Sequence, residues 1–278
     1  MAKDYAWKVE KDSTIKLKDY DPVHILDKIT PEAAALELQN LGEEISMLQE
    51  LLAEAQHHSM LIILQGTDTS GKDGTIRHVF NRVNPLGCYV HSFKAPTSEE
   101  LAHDFLWRVH RNTPGKGALC IFNRSHYEDV LIARVQCLVP KSVWSERYEE
   151  INNFEKLLAD NNTIILKFFL HISYEEQGQR LLAREQNLDK AWKIDASDWE
   201  ARKYWHDYQQ AYEDALNKCS TGDAPWYIVP ANHKWYRNLA VSHILARTMR
   251  QYKDEWKAQL EERGKRELEK LNQLRKAQ

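Results

Sequence analysis

An apolar run at residues 60–64, MLIIL, passes through Gln65 straight into GTDTSGKD at residues 66–73. The run has the length and composition of a buried strand, and the spacing Gly66, Gly71, Lys72 is that of a phosphate-binding loop. Together they call for a strand ending in a turn whose glycines take backbone geometry closed to other residues, then a helix whose N-terminus faces an anion. Gly66, Thr67, Thr69, Ser70, Gly71, Asp73 and Gly74 are the candidate phosphate cradle, and Lys72 is its mobile cation. Asp73 stands where the usual loop carries Ser or Thr; it suits a helix's first turn, while Thr75 offers a hydroxyl two residues late. A carboxylate inside such a loop is repelled by phosphate unless a divalent cation lies between them. Asp68 therefore reads either as a Mg²⁺ ligand or as the group that orients the attacking phosphate oxygen.

Further strand-like runs fall at 89–93, 118–122, 163–172 and 226–229, separated by segments long and polar enough for helices. This alternation predicts an α/β fold, a parallel sheet with helices on both faces, with the loop at the carboxyl end of its strand where open sheets bind ligands. Ahead of the loop, Thr30 and Pro31 signal a helix start, and Leu41, Ile45, Leu48 and Leu52 recur at helical spacing. From Lys253 onward the chain is dense in Lys, Arg, Glu and Gln, which predicts a solvated surface helix. The expected organisation is an N-terminal extension and helix at 1–57, a phosphate-loop core at 58–252 with a lid at about 178–200, and the charged helix at 253–278.

With 38 basic against 41 acidic residues, the chain has no global attraction for polyanions, so a nucleic-acid coat is disfavoured and any basic site must be local. Cys88, Cys120, Cys137 and Cys219 form no C-x-x-C pair, which suits reduced thiols better than a disulfide or zinc framework. The N-terminus has no apolar signal core and no stretch approaches the ~20 apolar residues of a membrane span. A cytoplasmic protein without a membrane partner is expected.

A second constellation, CIFNRSHYED at 120–129, ends an apolar strand in polar residues at the same sheet edge. Arg124 is suited to a bidentate grip on phosphoryl oxygens. Glu128 is a candidate metal ligand, although it and Asp129 equally suit a helix start. Lys94 follows a strand, and the helix expected after Thr97 or Ser98 carries Phe105, Trp107, Arg108 and Arg111. An aromatic beside arginines suits a base and its phosphates, while core packing is the commoner fate of Phe105 and Trp107. Arg180 and Arg184 lie four apart on one helical face, ahead of Lys190 and Lys193 in a stretch without helical periodicity, the pattern of a lid that excludes water. With Arg134 these residues make a basic lining fit for a polyphosphate or a compact nucleotide.

The blocks GTDTSGKDGTIRHVF, SFKAPTSEELAHDFLWR, IFNRSHYEDVLIARV, DKAWK and APWYIVPANHKWYRNLAVS span most of residues 60–250. In these the chain resembles the polyphosphate kinase 2 family, and looks closest to its class III, which uses both AMP and ADP. The resemblance implies a thymidylate-kinase-like fold with a helical lid, a homo-oligomer, and reversible Mg²⁺-dependent phosphoryl transfer from inorganic polyphosphate to AMP and ADP, forming ADP and ATP. It makes Asp68 and Lys72 the loop acid and lysine, Arg124 the arginine of the second motif, and Arg180 and Arg184 lid residues. Asp73 then marks a modified loop in which Asp68 takes much of the metal duty. Asn123 replaces the Asp of many members, leaving the second metal ligand among Asn123, Glu128 and water. On physical grounds alone, an ATP-dependent nucleoside monophosphate kinase or a nucleotide-binding regulator without turnover would use the same parts.

Overall fold

The computed structural model describes residues 4–26, 29–186 and 196–276. Among these, six strands form one sheet: β1 (Trp7–Lys8), β2 (Ser59–Gln65), β3 (Cys88–Ser92), β4 (Leu119–Asn123), β5 (Thr163–His171) and β6 (Trp226–Pro230). Their order is β1-β6-β5-β2-β4-β3, parallel throughout except that β1 runs antiparallel to β6. The predicted strands all form, shifted by a residue or so at their ends. The two-residue β1 was not expected; it is too short to show an alternating pattern.

The helices are α1 (Pro31–Ala55), α2 (Lys72–Val79), α3 (Ser98–Leu101), α4 (Trp107–His110), α5 (Ile132–Val135), α6 (Lys141–Asp160), α7 (Tyr174–Glu185), α8 (Ala196–Arg202), α9 (Trp205–Lys218), α10 (Lys234–Arg250) and α11 (Lys253–Lys276). None is long and apolar enough to cross a membrane. Thr30 caps α1 by accepting from the Ala33 N–H at 3.3 Å, and Pro31 takes the first helical position, where its missing donor costs nothing.

Every residue of β2 and β5 is buried, which explains their predominantly apolar character: helices cover both faces of a parallel sheet. Alternate β2 residues serve two cores. Met60, Ile62 and Leu64 pack with Leu41, Ile45, Leu48 and Leu52 of α1 and with α10, while Leu61 and Ile63 pack with Tyr148 and Ile151 of α6 and Leu216 of α9. Each such buried aliphatic side chain contributes about 1.5–3 kcal/mol.

The connection from β2 runs toward β3 and that from its neighbour β5 toward β6, in opposite directions, so a crevice opens at their carboxyl ends. The expected helix after Thr97 is broken. Thr97 and Glu100 form a reciprocal capping box on α3, which lasts one turn, and α4 starts afresh at Trp107, so Phe105 lies outside both helices. α11 forms as expected. Its Trp256 is fully buried and donates through Nε1 to His58 Nδ1 at 3.2 Å, while the helix beyond residue 260 is exposed.

Candidate active site

β2 delivers the chain to Gly66 at φ 152°, and Thr69 and Gly71 take φ 64° and 103° before α2 begins at Lys72. A Cβ on Gly66 would lie 2.8 Å from the Leu170 carbonyl oxygen, and one on Gly71 would run into the Arg237 guanidinium, so neither position tolerates a side chain. The hydroxyls of Thr67, Thr69 and Ser70 are buried and have no hydrogen-bond partner. Unmet donors at the N-terminus of α2 are what an oxyanion would satisfy. Thr75 does not join them, because its hydroxyl donates back to the Gly71 carbonyl at 3.1 Å within α2.

Lys72 is buried, and its ammonium donates to the carbonyls of Gly66 (2.7 Å) and Thr67 (3.3 Å). Burial, then the neighbouring Arg124, pulls its pKa down to about 8, against the opposing pull of Asp68, Glu128 and Asp73.

Arg124 follows β4 at φ 62°, its N–H donating to the Leu64 carbonyl at 3.1 Å. Its guanidinium bridges Asp68 Oδ1 at 2.6 Å and Glu128 Oε2 at 3.2 Å. Glu128, and next Asp68, raise its pKa above the ordinary arginine range despite burial. Of the two expected metal ligands, Asp68 lines the cavity and Glu128 does not, and the guanidinium links the two carboxylates. Asp73 does line it beside Asp68, and accepts from Asn123 Nδ2 at 2.9 Å. One or two carboxylates with incoming phosphate oxygens form a hard oxygen set suited to Mg²⁺, so Asp68 and Asp73 fit such an ion better than Asp68 and Glu128.

The cavity at this edge has a volume of about 690 Å³ and is lined by eight lysines and arginines but only two carboxylates, Asp68 and Asp73. Lys94 and Arg184 reach it as expected, and Arg184 also meets Asp198 of α8 at 2.9 Å. Arg180 lines it too, but all five of its N–H groups are committed. They go to Glu176, to the loop carbonyls of Thr69 and Ser70, and to those of Ala231 and Asn232. Expected as a catalytic residue, Arg180 here spends its donors on the loop's shape.

Three expected nucleotide contacts lie elsewhere. Arg134 pairs with Asp214 at 2.6 Å and stacks on Trp144. Phe105 packs under Arg147 at 4.8 Å. Arg108 is buried, donating to the Lys94 carbonyl at 2.9 Å and lying 3.6 Å from Asp129, so it ties the Lys94 loop to the turn after Arg124. Lys190 and Lys193, in the middle of the expected lid, lie outside the described residues.

Arg77 of α2 and Lys234, Arg237 and Asn238 of α10 also line the cavity and were not singled out from the sequence. Arg237 is 2% exposed. Its guanidinium is held by Asn238 Oδ1 (2.8 Å) and the Ser70 carbonyl (3.3 Å), with no carboxylate paired to it among the described residues. Burial, then nearby Arg180, brings its pKa down to about 9. The signal available was a basic pair at the start of the helix after β6, at the same edge as the loop.

A family profile described as Polyphosphate kinase 2 matches residues 28–257. The AMP/ADP-polyphosphate phosphotransferase of Meiothermus ruber is 52% identical over 87% of this chain and 91% of its own length. The ADP-polyphosphate phosphotransferase of Rhodopseudomonas palustris is 46% identical, covering 86% and 87%. The crystal structure of polyphosphate kinase 2 from Arthrobacter aurescens superposes with a TM-score of 0.83 at 37% identity, covering 87% of this chain and 90% of that one. A profile matching over most of the chain, with relatives and a fold similar over nearly their full lengths, places the chain in the polyphosphate kinase 2 family.

Proposed function

We propose that this enzyme transfers the terminal phosphoryl group of inorganic polyphosphate to AMP and ADP, forming ADP and ATP, and runs in reverse when ATP is abundant. The observation that carries the reading is a phosphate loop with three buried, unpartnered hydroxyls, one of them Thr69, at the wall of a cavity with eight cations and two carboxylates. That lining suits a ligand that is nearly all phosphate. The printed names of the relatives support polyphosphate as donor and AMP and ADP as acceptors.

The acceptor's phosphate oxygen is already anionic, so attack on the terminal phosphorus needs neither a general base nor a covalent enzyme intermediate. The P–O bond to the donor breaks as the new one forms, leaving the polyphosphate one unit shorter. Catalysis is then positioning and charge neutralisation. Lys72 and Arg124 face the transferring group, Arg180 keeps the loop carbonyls in place, and Arg184 approaches from α7. Mg²⁺ bound near Asp68 and Asp73 would neutralise charge on the phosphate oxygens.

Purified protein with Mg²⁺, polyphosphate and AMP should yield ADP first and ATP later, without added adenylate kinase, followed by ³¹P NMR or chromatography. Formation of ADP from AMP with ATP as donor but never with polyphosphate overturns the donor assignment. ADP that never proceeds to ATP overturns the dual acceptor.

A further inference from the structure

Glu155 of α6 and Lys167 of β5 form an ion pair with Oε2 to Nζ at 2.5 Å and side chains 1% and 0% exposed. Neither lines the cavity. A buried ion pair is a weak source of net stability, and apolar replacements of both partners are often neutral or better, so what the pair holds matters more than what it stabilises. Glu155 Oε1 accepts from the Tyr127 hydroxyl at 3.0 Å and lies 3.2 Å from His126 Nε2. Lys167 donates to the Tyr127 oxygen at 2.8 Å and to the Cys219 carbonyl at 2.5 Å.

His126 and Tyr127 open a one-turn 3-10 helix, His126–Asp129, two residues after Arg124. Ser125 between them accepts on Oγ from the Tyr127 N–H and from Gln65 Nε2, each at 3.2 Å, and Gln65 directly precedes Gly66. Arg124 itself stands in the left-handed region, where a residue with a side chain is held only when its surroundings over-determine it. The fully buried His126 and Tyr127, anchored on one carboxylate, are the surroundings that do so on its C-terminal side.

We propose that Glu155 is a positioning residue for phosphoryl transfer: by clamping His126 and Tyr127 it holds the backbone that aims Arg124 at the phosphate loop. The assignment rests on the proposed function.

The test compares wild type, Glu155→Gln, the double variant Glu155→Leu with Lys167→Met, and Tyr127→Phe, reading unfolding temperature together with kcat and KM for AMP and polyphosphate. Glu155→Gln leaves the Lys167 charge buried and uncompensated, so both unfolding temperature and kcat fall. The double variant removes both charges and refills the space with apolar atoms, so its unfolding temperature recovers. His126 and Tyr127 still lack their acceptor, and kcat stays down roughly 10- to 100-fold with KM little changed, the scale expected of a misaimed catalytic group. A double variant that recovers both stability and kcat overturns the proposal, because the pair is then merely structural. If the double variant does not fold, Tyr127→Phe decides: it deletes one hydroxyl, a several-fold lower kcat is expected, and an unchanged kcat overturns the proposal. Failure of the functional reading would show separately, as wild type inactive with every donor. The folded variants are then compared by tripolyphosphate Kd, where weaker binding than wild type supports the clamp and equal binding overturns it.

Discussion

Arg124 Nη2 lies 2.6 Å from Asp68 Oδ1, joining a cation from the end of β4 to an acid inside the phosphate loop. Without phosphate each neutralises the other, and a phosphate arriving with Mg²⁺ offers both a better partner. Asp68→Asn is therefore expected to lower kcat by the equivalent of about 2–4 kcal/mol and to move the Mg²⁺ saturation curve of the initial rate to higher concentration, since an amide is a poorer ligand for a hard cation. A variant with reduced kcat but an unchanged Mg²⁺ curve would make Asp68 a partner of Arg124 and no more.

Lys72 supplies a pH dependence. Burial, then Arg124, favours its neutral form and lowers its pKa to about 8 in the folded protein. Below about pH 8 the ammonium is held charged against that penalty. Between about 8 and the unfolded lysine value the unfolded chain binds the extra proton, so this group's contribution makes the folded state more stable as pH rises. Donor binding needs the charged form. Hence kcat/KM for polyphosphate should fall as pH passes through about 8, while kcat, reporting the complex in which phosphate raises the lysine pKa, should persist to higher pH. A kcat/KM profile flat to pH 10 would show that Lys72 stays charged in the free enzyme.

Arg134 separates basic residues near a motif from residues in the site. Its pairing with Asp214, with side chains 18% and 26% exposed, and its stack on Trp144 hold α5 to its neighbours away from the cavity. Arg134→Ala should cost about 1–2 kcal/mol of stability and leave kcat/KM within roughly twofold of wild type. A large loss of kcat in a folded variant would return Arg134 to the site.

The strands could be read from the sequence because a parallel sheet covered on both faces leaves a largely apolar run, continuous at 60–64 and broken at 163–172 mainly by Lys167 and His171. The loop could be read because its glycines answer a local backbone requirement. Arg108, Arg134 and Arg180 were assigned to ligands because a sequence displays charge without partners. Asp129, Asp214 and the Thr69 and Ser70 carbonyls that engage them lie 21, 80, 111 and 110 residues away, a proximity no spacing rule reports. Glu128, expected as a metal ligand, pairs with Arg124, because its four-residue offset makes an ion pair as readily as a metal site.

Arg237 carries the last prediction, because it was not singled out from the sequence and reaches the site 167 residues from the Ser70 carbonyl it contacts. Its pKa, lowered to about 9 by burial and by Arg180, shows that its folded surroundings disfavour its charge, and no carboxylate among the described residues relieves this. A buried cation at the wall of a phosphate cavity is relieved when the anion enters, so its cost in the empty protein becomes binding energy in the complex. Arg237→Gln should therefore leave the unfolding temperature of the ligand-free protein close to or above wild type. The same change should weaken tripolyphosphate binding by about 1.5–3 kcal/mol, roughly 10- to 150-fold in Kd. Thermal unfolding with and without tripolyphosphate, alongside calorimetric titration, reads both quantities. If the ligand-free variant unfolds well below wild type while tripolyphosphate binds with unchanged affinity, Arg237 is a strut beneath Gly71 and Gly74 and contributes nothing to phosphate binding.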